Sequence, residues 1–318
     1  MKQSGHELPP DKHRVHARTV RLEWATIAYL ATAIFFIYLT LGSSQAMKTA
    51  WFEDMLSLIP PISFLIATRV RRRDPDRRHP YGWHRAMSIA YLIASLALLA
   101  MGLFLLLDAV MTLAAFEHPT IGTVALFEHE VWLGWLMIPA AAYSAFPAMM
   151  LGRMKLPLAR ELHDKVLHAD AMMNKADWLT GVAVILGVTG IAFGLWWADG
   201  VAAAVISTTI LRDGISNVRR AVVDLMDAAP VRVDDSGLEP LPARLESEMR
   251  KLSWVRDARV RMRDEGHVLF GEVFVVPRDE ARLTERLEEA REALRRLDWR
   301  VHDLVLMPVR ELDDLPSG

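Results

Sequence analysis

The sequence contains no cysteine. Structural disulfides and thiolate metal sites are therefore excluded, and any metal is held by oxygen, imidazole or thioether. Net charge is also small, −2 over 318 residues, and the arginine runs lie beside apolar blocks, so nucleic acid is not an expected partner. The first 21 residues, MKQSGHELPPDKHRVHARTVR, lack a short apolar core with a small-residue cleavage site. No signal peptide is expected, and residues 1–21 read as a cytoplasmic tail. There is no internal repeat. No nucleophile, metal-hydrolase or phosphate-binding motif accompanies the acidic residues, so an enzyme is not expected.

What is present is a partition. Hydrophobic residues make up 52% of the chain and charged residues 24%, and the two are segregated into blocks. Six blocks approach or exceed the ~20 residues that span a bilayer as a helix, near 22–43, 46–68, 86–113, 131–152, 168–195 and 199–218. The tail, the link RVRRRDPDRRHPYGWHR, the link GRMKLPLARELHDK and the pair Arg219-Arg220 are basic and belong inside, whereas FEHPTIGTVALFEHE has no Lys or Arg and belongs outside. Trp132, Trp135, Trp196 and Trp197 stand near the expected outer ends. The expectation is a membrane all-α bundle, residues 22–229, in a lipid bilayer with both termini cytoplasmic.

Inside this bundle two carboxylates stand out. Asp54 falls near the middle of QAMKTAWFEDMLSLIPPISF, and Asp177 lies at a similar depth in ADAMMNKADWLTGVAVILG. A membrane-centre aspartate costs about 2.5–3.5 kcal/mol on insertion scales, so such residues are expected to be functional. The pair suggests a cation path. Asp170, Met173, Asn174 and Asp177 are spaced i, i+3, i+4, i+7 and share one helix face. Asn174 offers a carbonyl oxygen and Met173 a thioether, while Asp170 and His168 mark the cytoplasmic approach. On the second block the matching face holds Met47, Ala50, Asp54 and Leu58. Lys175 and Glu53 point away from the two aspartates by helical geometry. Pro60-Pro61 is expected to bend the second helix.

From about Pro230 the pattern becomes that of a soluble domain, residues 230–310, followed by an acidic tail, 311–318, expected to be disordered. LPARLESEMRKL reads as an amphipathic helix and DARVRMRDEGHVLFGEVFVV as two strands about a turn. Leu283, Leu287, Ala290, Leu294 and Leu297 recur at helical spacing, and WRVHDLVLMPV reads as a last strand. So small a domain has a small core, and a second copy of the chain is an expected partner. It has two histidines, His267 and His302, which strand register is not expected to bring together.

The order of six spans, the SxxxKTxWxED pattern ending at Asp54, Pro60-Pro61, the PYGWHR link, ADAMMNKADWLTG and the small α/β tail together resemble the cation diffusion facilitator family. The resemblance covers nearly the whole chain. It implies a homodimeric bacterial inner-membrane exporter that exchanges a divalent metal cation for protons, with a ferredoxin-like cytoplasmic domain and no organic cofactor. The family's four site positions fall on Ala50, Asp54, Met173 and Asp177, of which the two aspartates are kept. That departs from the usual tetrahedral zinc arrangement and leaves zinc, manganese, iron and cobalt open. The loss of two usual ligands also supports a second expectation, a transport-inactive or regulatory membrane protein on the same scaffold.

Overall fold

The computed structural model describes residues 8–40, 45–115, 123–126, 129–132, 134–195, 197–234 and 236–312. In chain order the helices are α1 (Pro10–Thr40), α2 (Gln45–Ser57), α3 (Ile59–Arg71), α4 (Arg85–Ala114), α5 (Gly134–Leu162), α6 (Lys165–Ala192), α7 (Ala198–Leu225), α8 (Leu241–Arg250) and α9 (Leu283–Leu297). The strands are β1 (Thr123–Leu126), β2 (His129–Trp132), β3 (Val255–Glu265), β4 (Val268–Pro277) and β5 (Val301–Pro308).

The second apolar block is two helices. The chain breaks at Leu58, and Pro60 and Pro61 occupy the first turn of α3, where a missing backbone N–H has no helical acceptor to lose. The helices also outrun their apolar blocks: α1 begins at Pro10, within the expected tail, and α5 continues to Leu162. Some of the charges in these extensions find partners within the bundle, Lys12 with Glu161 and Lys155 with Glu23, each at 3.1 Å, while others are exposed. Among the described residues α4 is the one helix that is both long and uniformly apolar enough to cross a membrane on composition alone.

α6 occupies the middle of the bundle, touching α2, α3, α4, α5 and α7. α4 and α7 approach closely because Gly102 carries no Cβ. A methyl there would lie 2.6 Å from the backbone nitrogen of Leu211. β1 and β2 form a small antiparallel hairpin between α4 and α5. Ala50, Met47, Trp132, Trp196 and the residues of the acidic tail from Asp313 onward lie outside the residues whose side chains are described.

The C-terminal region has the expected helix, strand, strand, helix, strand order. β4 is central, antiparallel to β3 and parallel to β5. Leu241, Leu245 and Met249 of α8 and Ala290 and Leu294 of α9 close one face of this sheet over Ala258, Met262, Val273, Val275 and Leu304. Val260 and Trp254 are partly buried against the same core.

The β3–β4 turn docks against the start of α4, the start of α6 and the end of α7. Gly266 turns at φ +78°, and a Cβ there would stand 2.6 Å from Cβ of Met87 on α4. Lys165 Nζ lies 2.6 Å from Asp224 of α7 and 3.0 Å from Asp264 of β3. Arg85 pairs with Asp227 and comes within 3.6 Å of Glu265. His267 Nε2 lies 3.4 Å from Asp164, the residue that caps α6 by accepting the Leu167 N–H at 3.0 Å. His302 instead packs against His84, with ring centroids 4.6 Å apart and the rings tilted by 60°, and Phe270 lies beside both rings. The two histidines thus serve different contacts.

Burial pushes the Asp164 carboxyl up from 3.8 to about 6, against the Leu167 N–H and Arg71, which pull it down. Burial first, then Arg71, holds the His267 imidazole well below its ordinary 6.5. The raised carboxyl contributes stability that is full below 3.8 and lost as pH rises through about 6. The depressed imidazole contributes stability that is present above 6.5 and lost as pH falls. The two slopes oppose one another, each at about 1.4 kcal/mol per pH unit within its window. Asp164→Asn is expected to expose the histidine slope, giving a steep loss of thermal midpoint on acidification below 6.5. His267→Gln is expected to reverse it. Melting of the detergent-solubilised chain across this range checks both, and parallel slopes in the two variants would contradict the assignment.

Candidate cation site

The packing of α2 on α6 brings Asp54 and Asp177 within electrostatic reach of each other. Asp177 accepts a hydrogen bond from the Ser57 hydroxyl at 2.7 Å. Asp54 Oδ2 is buried without a hydrogen-bond partner, as is Oε1 of the neighbouring Glu53. The charges of Asp177, Asp54 and Asp108 all act on Glu53. Tyr29 of α1 donates to the Ser144 carbonyl at 2.8 Å and feels the charges of both aspartates. Like charges in a low-dielectric interior repel, and a cation between them or a proton on one of them relieves that repulsion.

The donor set is made of oxygen. Among the described residues no three histidine, aspartate or glutamate side chains form a metal-binding group. A cation held by this pair would complete its shell with the Ser57 hydroxyl, backbone carbonyls or water, as hard cations do.

The remaining residues on the α6 face have other engagements. Met173 is 1% exposed and packs among Ala97, Leu98, Met101, Leu105, Ala176 and Ile210, an apolar cluster built largely from α4, α6 and α7. These contacts are packing contacts, and on them Met173→Leu, which nearly conserves volume, is expected to leave metal selectivity unchanged. A flux assay over several divalent metals checks this, and a reordered preference would make the thioether a ligand. Asn174 donates its amide to the Asp170 carbonyl oxygen at 2.9 Å. Lys175 turns away and pairs with Asp213 of α7 at 3.0 Å. His168 is buried near Arg220 and Asp234, with Nδ1 lacking a hydrogen-bond partner.

Asp170 is not open to solvent. Its carboxylate is bound by Lys155 Nζ of α5, which also lies 3.1 Å from Glu23 of α1. The three side chains are at most 1% exposed. Sequence reasoning counted Lys155 among the basic residues of a cytoplasmic link. Because α5 continues past it, the lysine is a buried counter-ion and carries no topological information. Ser57 was missed as a site neighbour; it lies three residues beyond Asp54, so helical spacing could have flagged it. Glu53, expected to face away, is buried where the charges of Asp177 and Asp54 both act on it.

Residues 22–226 match the family described as the cation efflux transmembrane domain. The manganese efflux system protein MneS of Bacillus subtilis (strain 168) is 28% identical over 206 residues, 64% of this chain and 67% of that protein. MneP, a manganese efflux system protein of the same organism, is 23% identical over 252 residues, covering 76% of this chain and 77% of its own. The zinc transporter ZitB of Escherichia coli (strain K12) is 26% identical over 255 residues, 79% of this chain and 76% of that protein.

Proposed function

As the chain belongs to the cation efflux, or cation diffusion facilitator, family, we propose that it exports a divalent metal cation from the cytoplasm through Asp54 and Asp177, with protons as the counter-substrate. One observation supports this reading: α2 and the central helix α6, which are in contact, each carry an aspartate, the charge of Asp54 is felt at Asp177, and Asp54 Oδ2 is buried without a hydrogen-bond partner. Asp177 lies twelve residues into α6, about 18 Å along a helix, which is past the middle of a ~30 Å hydrocarbon core.

The all-oxygen donor set favours a hard cation of the manganese class over zinc, which more often takes imidazole or thiolate ligands. The names of MneS and MneP point the same way. Metal and protons compete for the same carboxylates, and that competition couples their opposite movements. Helices rocking about a fixed site provide alternating access. The basic links place both termini in the cytoplasm after six crossings of a bacterial inner membrane, and the functional unit is a homodimer. In manganese-loaded cells, expression of the chain is expected to lower cell manganese content severalfold, while the Asp54→Asn form does not. Equal content with both forms would favour a transport-inactive, regulatory role for the same scaffold.

A further inference from the structure

The transport reading requires a route from the cytoplasm to Asp177, and the Glu23, Lys155 and Asp170 cluster lies between the start of α6 and Asp177. Asp170 is five residues into α6, roughly 10 Å nearer the cytoplasm than Asp177 and on the same helix face. Lys155 is fully buried and bridges carboxylates from two helices, α1 and α6, so the cluster ties three helices together. Two carboxylates share one ammonium, Glu23 and Asp170 act on each other as well as on Lys155, and Glu23 Oε1 is buried without a hydrogen-bond partner. The positive charge of Lys155 is also felt at Asp177. Buried ion pairs contribute little net stability compared with apolar packing, so a cluster with a surplus carboxylate is poorly explained as a staple alone.

We propose that Lys155 is a resident cation that gates the cytoplasmic route: held on Asp170 it closes the path to Asp54 and Asp177, and shifted to Glu23 it frees Asp170 to receive the incoming metal. Both acceptors already lie within ion-pair distance of the same ammonium, so the exchange needs a side-chain movement and no new partner. Lys155 is then a positioning residue, acting through Asp170. The inference rests on the transport reading for its cargo, and it has a readout that needs no metal.

The chain has no cysteine, so Ser57→Cys places one thiol beside Asp177, beyond the cluster. Labelling of this thiol by a small water-soluble reagent added to the cytoplasmic face reports the open route. Adding E23Q and K155M together is expected to speed labelling about tenfold, the gain available when a state populated at about 10% or less becomes dominant. E23Q alone leaves Lys155 wholly to Asp170 and is expected to slow labelling and raise the cytoplasmic KM for manganese while leaving kcat unchanged. K155R is expected to keep the labelling rate. The triple variant E23Q/K155M/D170N, which removes every charge in the cluster at nearly constant volume, guards against misfolding around an unpaired Asp170 and is expected to label as fast as the double. Rates in the double and triple variants within about twofold of Ser57→Cys alone, or an equal acceleration from the outer face, would overturn the gate. Faster cytoplasmic labelling without manganese flux in the parent chain would retain the gate and remove the cargo assigned to it.

Discussion

Asp177→Asn is expected to reduce cation flux by about a hundredfold or more while leaving the protein folded. The substitution keeps the shape of the side chain and an acceptor for the Ser57 hydroxyl, 2.7 Å away, but removes one of the two charges proposed to hold a divalent ion. At a separation of about 4 Å and an effective dielectric constant of about 20, each unit of charge interaction is worth about 4 kcal/mol. Desolvation and compensating water reduce that, and a residual ~3 kcal/mol still corresponds to about a hundredfold in affinity. Asp54→Asn is expected to behave alike, because its buried oxygen has no other partner. Ser57→Ala provides the contrast: it removes one hydrogen bond, worth about 1 kcal/mol, and is expected to cost about fivefold. Proteoliposomes loaded with a metal-sensitive dye measure all three. Flux retained in either Asn variant would mean that the aspartates do not share one ion.

Lys165→Met is expected to destabilise the junction between bundle and cytoplasmic domain by about 3–5 kcal/mol, the usual cost of stranding buried partners of a lost charge. The ammonium lies between Asp224 at 2.6 Å and Asp264 at 3.0 Å, and all three side chains are less than a tenth exposed. Without it, two carboxylates from different parts of the molecule face one another with only His163, 3.6 Å from Asp264, and the more distant Arg220 to offset them. The expected signs are a lowered thermal midpoint and proteolysis at the β3–β4 turn under conditions where the parent chain resists. Replacing Asp224 and Asp264 by Leu in the same variant is expected to restore most of the loss, since a well-packed apolar trio substitutes for a buried ion cluster at little cost. A Lys165→Met form with unchanged midpoint and protease resistance would show that the junction rests on its apolar contacts, such as Gly266 on Met87, rather than on the ion pairs.

Different physical signals account for what the sequence made legible. A carboxylate inside an apolar block is costly enough to be conspicuous, and that alone picked out Asp54 and Asp177. Period-two and period-3.6 patterns marked the C-terminal elements, because a small domain with one sheet must bury one face of each element: Ala258 and Met262 from β3, Ala290 and Leu294 from α9. Glu23 and Lys155 were hidden for a specific reason. Each stands at the edge of an apolar block, where a charge normally reports membrane topology, and only the packing of α1, α5 and α6 reveals that they neutralise one another. Composition could not show that α5 runs on to Leu162, because the pairing that permits it lies 132 residues away in sequence. Met173 shows the opposite limit: its i−4 spacing from Asp177 suggests a ligand, yet the side chain is enclosed by apolar neighbours from α4 and α7.

The measurement that bears most directly on the central claim is manganese movement by the purified full-length chain in proteoliposomes under an imposed pH gradient, read simultaneously with metal-sensitive and pH-sensitive dyes. Manganese entering the lumen is expected to be accompanied by protons leaving it, to accelerate when the lumen is made more acidic than the bath, and to stop in Asp177→Asn. Manganese flux that is indifferent to the direction of the pH gradient and moves no protons would contradict proton-coupled export through the Asp54 and Asp177 pair.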